Sequence, residues 1–302
     1  MEPIAQDIAD WMAERANNAL FPGADQPAFD PPLIGFASGT DPIFAFLRDD
    51  IGPEFYWTPE AAFAEAFPDA PAPAGELTVV AWVLPQTAAT REAHKRCRDL
   101  PSLAWSQVRH YGEMVNEGLR RFVVERLDGQ GVDAVAPTLL PEWGRRMSPR
   151  YGFASRWSER HAAHACGLGA FGLSDGLITP AGKAVRVGSV VARTAIAATP
   201  RPYDRHDAWC LRAVGVACRA CIKRCPAGAI TEAGHDKVRC RDYIAGVTSP
   251  YVARDLLPGI PVSSCGLCQV GTPCECRDPT ARKRQKAAAG AGGEGAGTGR
   301  SF

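Results

Sequence analysis

The sequence predicts an α/β or α+β domain over residues 1–205, followed by a small ligand-stapled domain over 206–280. Three observations lead there. Apolar β-branched runs alternate with stretches of helical periodicity up to about residue 200. Nine of the eleven cysteines lie between 210 and 276. From Trp209 onward, Cys, Gly and Pro replace regular periodicity. The chain has 302 residues and is 46% hydrophobic, ample for a core. Its net charge of +1 gives no reason to expect a nucleic-acid partner.

The elements follow in order. Ile4, Ile8, Trp11 and Arg15 fall at helical spacing, so the N-terminus reads as an amphipathic helix. It begins with acids and lacks an apolar stretch behind basic residues, unlike a secretory signal. The remainder of residues 1–75 reads as Pro-rich irregular chain. "ELTVVAWVLP" (76–85) has the continuous apolar character of a buried strand. Trp105, Val108, Val115, Leu119, Phe122 and Leu127 predict a long helix over 102–127, packed on that strand. "GVDAVAP" reads as a second strand. Ser158 is expected to cap a short helix, "ERHAAHAC", that stops at Gly167. "GLITP" and "AVRVGSVVARTAI" complete the strands. Residues 281–302 read as a disordered Gly/Ala-rich tail, its basic run Arg282–Lys286 solvated. No apolar run is long enough to span a bilayer, so no membrane association is expected. The reading is a cytoplasmic protein whose thiols stay reduced.

In a reducing compartment, such a density of cysteine points to metal. Cys218, Cys221 and Cys225, followed by Pro226, match the last three positions of the C-x2-C-x2-C-x3-C-P run of bacterial ferredoxins. Position 215 is Gly, so Cys210 is the nearest upstream replacement. Cys240, Cys265, Cys268, Cys274 and Cys276 form a second set. In such runs the cysteine before Pro ligates the other cluster of a pair. That logic assigns Cys210, Cys218, Cys221 and either Cys274 or Cys276 to one [4Fe–4S] cube. Cys225, Cys240, Cys265 and Cys268 go to the other. Zinc is the competing reading, since paired C-x2-C units also make closed tetrahedral sites. The Cys221-x3-Cys225-Pro226 spacing is a ferredoxin feature that zinc ribbons do not require. Cys97 reads as an ordinary thiol, and Cys166 as a packing residue.

Gly167, Gly169 and Gly172 mimic a dinucleotide fingerprint but follow a helix, where that motif must follow a strand. Two readings of them stand: a turn, or close backbone approach to a planar cofactor. His161 and His164 lie three apart on one helical face; they could donate protons or simply be polar surface. Lys183, Arg186 and Arg193 could meet cofactor or substrate carboxylates, with surface exposure the default expectation. His235 is given no role.

The stretch "RWSERHAAHACGLGAFGLSDGLITPAGKAVRVGSVVA", followed by the cysteine segment with its Cys265–Gln269 element, resembles the epoxyqueuosine reductase and reductive dehalogenase family. The motifs are Glu159 through Gly169, Gly176 through Pro180, Val185 through Val190, and Cys218 through Cys276. They cover roughly the last half of the chain. The resemblance implies a nitroreductase-like core, a ferredoxin-like double-cluster domain and a corrinoid held between them. Gly167, Gly169 and Ser189 are the cofactor-binding positions it suggests. In "FASRWSER", Ala154-Ser155 stand where epoxyqueuosine reductases carry their proton-donating Asp-Ser. Tyr151, His161 and His164 are therefore the catalytic expectations, in that order. The expected function is an iron–sulfur oxidoreductase. An external donor such as ferredoxin or flavodoxin feeds two [4Fe–4S] clusters, which feed a bound cofactor that reduces a small molecule. The alternatives are an electron carrier or corrinoid-reducing partner without its own substrate, or flavin in place of corrinoid.

Overall fold

The computed structural model describes residues 2–281; the predicted tail and its Arg282–Lys286 run lie outside the described residues. The elements are α1 (Pro3–Ala13), β1 (Leu33–Ser38), α2 (Pro42–Ile51), α3 (Pro59–Ala66), β2 (Thr78–Pro85), α4 (Ala88–Lys95) and α5 (Leu103–Asp128). There follow β3 (Ala134–Val135), β4 (Arg145–Ser148), β5 (Gly152–Ser155), α6 (Glu159–Ala165), β6 (Ala170–Phe171), β7 (Leu177–Ile178) and β8 (Val185–Ala192). The cysteine-rich part holds α7 (Ala220–Arg224), β9 (Ile230–Thr231), β10 (Gly234–His235) and α8 (Lys237–Tyr243).

The core is a four-stranded sheet in the order β1-β2-β8-β3, antiparallel throughout. The fold is thus the α+β form of the expectation, with helices on both faces of the sheet. The central strand β2 is buried along its whole length. Val80, Trp82 and Leu84 face the layer of α1 and α5. Val79, Ala81 and Val83 face the layer of α3 and α6. This is the period-2 alternation of a strand with both faces covered, which is why "TVVAWVLP" contains no polar face. Trp82 is opposite Gly188 on β8, where a Cβ would stand 2.5 Å from the indole. Gly188 therefore makes the room in which Trp82 Nε1 donates to Asn116 Oδ1 at 2.9 Å.

The long helix starts where its cap is. Ser102 Oγ accepts from the Trp105 N–H, leaving α5 to run 26 residues with Val108, Leu119 and Val123 buried. Helix α6 ends in a Schellman arrangement. Gly167 has φ +77°, its N–H donates to His164 O, and the Leu168 N–H donates to Ala163 O. Ser158 precedes α6 as predicted, but its side chain makes no capping bond.

Residues 1–75 depart from the irregular chain expected of them. They contain the edge strand β1 and the helices α2 and α3. Pro42 and Pro59, in the stretch expected to be irregular, each stand at the start of a helix. There the missing N–H costs nothing and φ is already helical. Asp41 and Thr58 cap these two helices by accepting from Ile43 N and Ala61 N.

The cysteine-rich segment is strapped to the core. The Lys183 and Ala184 N–H groups donate to Cys274 O and Glu275 O at 2.9 and 3.2 Å. Ser106 and Ser264 share a hydroxyl bond of 3.0 Å, and Arg109 Nε donates to Ser263 O. Arg224 donates to Cys97 O, Leu267 O and Val270 O. Beneath these straps lies a buried ionic network. Arg120 donates to Glu159 at 3.0 Å and to Glu113 at 3.2 Å, and Arg186 holds Glu113 from the other side. Among the described residues, no helix is long and apolar enough to cross a membrane.

Candidate functional site

Eight of the nine downstream cysteines sort into two groups in space. Cys210, Cys218, Cys221 and Cys274 line one cavity, walled also by Ile178, Lys183 and Pro273. Burial pushes the Cys221 thiol up; Lys183 pulls it down, and Cys274, Cys210 and Cys218 push it up further. The members come from three places in the chain. Cys218 and Cys221 flank the start of α7, Cys210 follows the buried Trp209, and Cys274 is held by the strap to Lys183.

Cys225, Cys240, Cys265 and Cys268 form the second group. Burial raises Cys240 to about 11, with Cys268 and Cys225 adding to it. Cys265 is likewise pushed up to about 11 by burial, then by Cys240 and Cys225. Cys268 is pushed up to about 12 by burial, opposed by Lys183 and reinforced by Cys265, Cys225 and Cys221. The Ala229 N–H donates to Cys225 Sγ at 3.3 Å. Cys221 and Cys225 are one helical turn apart, yet they belong to different groups. The single turn of α7 ends between them, and Cys225 is extended. All of these thiols are free of disulfides. Among the described residues, no three His, Cys, Asp or Glu side chains gather as they would around a single metal ion.

Cys276 is exposed and is not among the residues lining the cavity. Cys97 donates to Ala93 O, and Cys166 is fully buried with its thiol on Val79 O.

Lys183 departs from the surface position that was its default expectation. It is 4% exposed, not at the surface. Its ammonium donates to Ser174 Oγ and stands near Cys274, Cys268 and Cys221, bridging the two groups. Burial works against its charge, and the three thiols outweigh that. Lys183 follows Gly182, where a Cβ would meet Glu275 O at 2.3 Å. Arg186 is also largely buried, in the network on Glu113, whereas Arg193 is half-exposed and paired with Glu76. His235 pairs with Asp175 at 3.0 Å.

The catalytic expectations are not gathered in one place. His161 and His164 both pack on Phe171, with ring centroids 5.1 and 5.4 Å away. His161 Nδ1 meets Tyr56 OH at 3.2 Å. Burial, then Arg160, pushes His161 down to about 3, so it is a neutral imidazole. His164 Nδ1 lies 2.7 Å from Gly169 O, an acceptor only, so the proton resides on Nδ1. Tyr151 stands apart, 38% exposed on the turn between β4 and β5. Its hydroxyl donates to Asp50 Oδ2 at 2.5 Å, and Lys237 lies over its ring at 5.7 Å. Burial and Asp50 raise its pKa.

Gly167, Gly169 and Ser189 meet protein, not an open cradle. A Cβ at Gly167 would stand 2.8 Å from Pro200 O, and one at Gly169 would stand 2.5 Å from Ile178 O. Ser189 is fully buried, bonded to Trp157 Nε1 and Glu159. These three residues do not fit a corrinoid.

No family model matches the chain, and no curated protein matches it. Among solved structures it is similar to epoxyqueuosine reductase from Bacillus subtilis, at 15% identity and a TM-score of 0.47. It is also similar to an epoxyqueuosine reductase solved with an epoxyqueuosine-modified tRNA-Tyr stem loop, at 17% identity and a TM-score of 0.46. In both cases 89% of this chain and 64% of that one are covered. A variant of a catabolic reductive dehalogenase gives 16% identity and a TM-score of 0.50, over 95% of this chain and 38% of that one. The chain thus spans under two thirds of these proteins, and the last likeness shows a shared fold.

Proposed function

We propose that this chain is an iron–sulfur reductase whose two cysteine groups each hold one [4Fe–4S] cluster. The observation that carries the reading is the cavity ringed by Cys210, Cys218, Cys221 and Cys274, with four further thiols beside it. A cube needs thiolates spread around it, whereas zinc needs them about 2.3 Å from one centre. Such clusters supply one-electron transfer when bound. The chain's own part is to hold the ligands and balance their charge. Cys225, Cys240, Cys265 and Cys268 are the second ligand set, and Cys274 is the fourth ligand of the first. Lys183 offsets the negative charge that both sets carry. Tyr151 is the group we assign to proton delivery to a small-molecule substrate. It is open to solvent, oriented by Asp50, and keeps its proton at neutral pH.

No step is assigned to a corrinoid, because the positions expected to cradle it are filled by protein. That filling, with Ala154 in place of an acid, favours a second reading: an electron carrier that serves another protein. A flavin is the third cofactor outcome. Anaerobic purification with iron, cobalt, flavin and zinc quantification separates them. Iron at about eight atoms per chain is expected in every version of the proposal. Cobalt or flavin near one per chain makes the chain a reductase with its own terminal cofactor, and iron alone makes it the carrier. Zinc in place of iron overturns both.

A further inference from the structure

The charged side chains around the first thiol group are sorted by sign. From Cys210 to Cys225 the chain holds Arg212, Arg219, Lys223 and Arg224 and no acidic residue. Arg224 is spent on the carbonyls of Cys97, Leu267 and Val270. Arg219 and Lys223 are exposed, and Arg212 is half-buried. In the segment that brings Cys274, the exposed charge is Arg277, which falls between Cys274 and Pro279 on the cavity wall. The two acids of that segment are withdrawn. Glu275 is 6% exposed and accepts the Gly271 N–H at 2.6 Å; Asp278 is 8% exposed and accepts from Thr280.

These cations are gathered in space. Glu232 pairs with both Arg212 and Arg219, which draws the two ends of the loop 212–219 together. Lys223 lies one helical turn beyond Arg219, its N–H donating to the Arg219 carbonyl at 3.0 Å. One carboxylate against three cations leaves the patch positive. Between Arg212 and Arg219 the chain turns outward at Gly215, whose φ is +82°, and presents Val216, 40% exposed. The Cys218 N–H donates to Val216 O at 2.7 Å, so this apolar tip is tied directly to a thiol of the first group. The second group has no such surface. Around Cys240 the exposed charges cancel, Asp236 and Asp242 against Arg239 and Arg241.

We propose that Arg212, Arg219, Lys223 and Arg277, around Val216, form the docking surface for an acidic one-electron carrier protein, so that electrons enter at the first cluster. The inference rests on the two-cluster reading. The positive field steers an acidic partner to the patch, and the exposed valine gives it a small apolar seat beside Cys218. The step moves one electron. The reduced carrier is oxidised by one, the first cluster is reduced by one, and no atom or proton changes place.

The test is stopped-flow reduction of the anaerobic holoprotein by reduced plant-type [2Fe–2S] ferredoxin, an acidic carrier, with dithionite as a reductant that needs no docking surface. Raising salt from about 0.1 M to about 1 M is expected to slow the ferredoxin reaction about tenfold or more. Arg219→Gln with Lys223→Glu is expected to slow it about tenfold at low salt, with iron content and the dithionite rate at wild-type levels. Arg121→Glu, at an exposed position on the half of α5 away from the strap at Ser106 and Arg109, should leave the rate unchanged. A salt-independent wild-type rate, an unmoved rate in the double variant, or an equal slowing by Arg121→Glu overturns the proposal. Should the double variant lose its iron, Lys223→Glu alone, which leaves the Arg219–Glu232 pair intact, decides by the same two rates. An RNA hairpin that binds wild type but not the double variant, with ferredoxin reduction unmoved, overturns the proposal in favour of a nucleic-acid surface. Iron-free wild type overturns the cluster reading itself, and the iron assay distinguishes that failure from this one.

Discussion

Replacing Cys225 with alanine is expected to remove about half of the chain's iron, about four of about eight atoms. Read along the sequence, Cys218, Cys221 and Cys225 form one run. In space Cys225 belongs with Cys240, Cys265 and Cys268, and the first cavity is closed by Cys210 and Cys274. The variant should therefore lose the second cluster and keep the first. Iron quantification together with the EPR spectrum of the reduced protein checks this. Retention of both clusters would show that the ligand sets are drawn wrongly. Cys276→Ala is the control. That residue is exposed and away from the cavity, so iron should be unchanged.

The largest effect on stability is expected from Arg120→Met, about 3–5 kcal/mol, as for other buried ion pairs deprived of one partner. Arg120 is 4% exposed and pairs with Glu159 and Glu113. Glu113 keeps Arg186 and Arg109 when Arg120 is gone. Glu159 keeps only the hydroxyls of Thr138 and Ser189, with burial already pushing its carboxyl up. The cost should therefore fall mainly on Glu159. In urea denaturation, Arg120→Met should lower the midpoint, and adding Glu159→Gln should recover much of the loss. A single-variant loss below about 1 kcal/mol would mean that water reaches the network.

The parts of the fold legible in the sequence were those governed by local rules. Strand β2 announced itself because both its faces are covered, and α5 because one stripe of a long helix is apolar. The Gly167 stop was readable because only a left-handed residue closes that helix end. The edge strand β1 and helices α2 and α3 were hidden. Proline at a helix start looks like a breaker until the cap before it is recognised. The cysteines stood out as candidate ligands by spacing alone. Their buried neighbour Lys183 did not, since it reaches the two groups through tertiary packing. Lys183 sits on a loop in an otherwise apolar stretch. Nothing periodic connects it to them. Likewise the glycines of α6's exit were readable as close approaches, but the backbone they approach is the protein's own.

What the eight thiolates hold decides the chemistry of this chain. Mössbauer and visible spectra of protein purified without oxygen from 57Fe medium measure it. Two [4Fe–4S] centres, about eight irons per chain and bleaching by dithionite are the result expected. A colourless, iron-free or zinc-loaded preparation would contradict it.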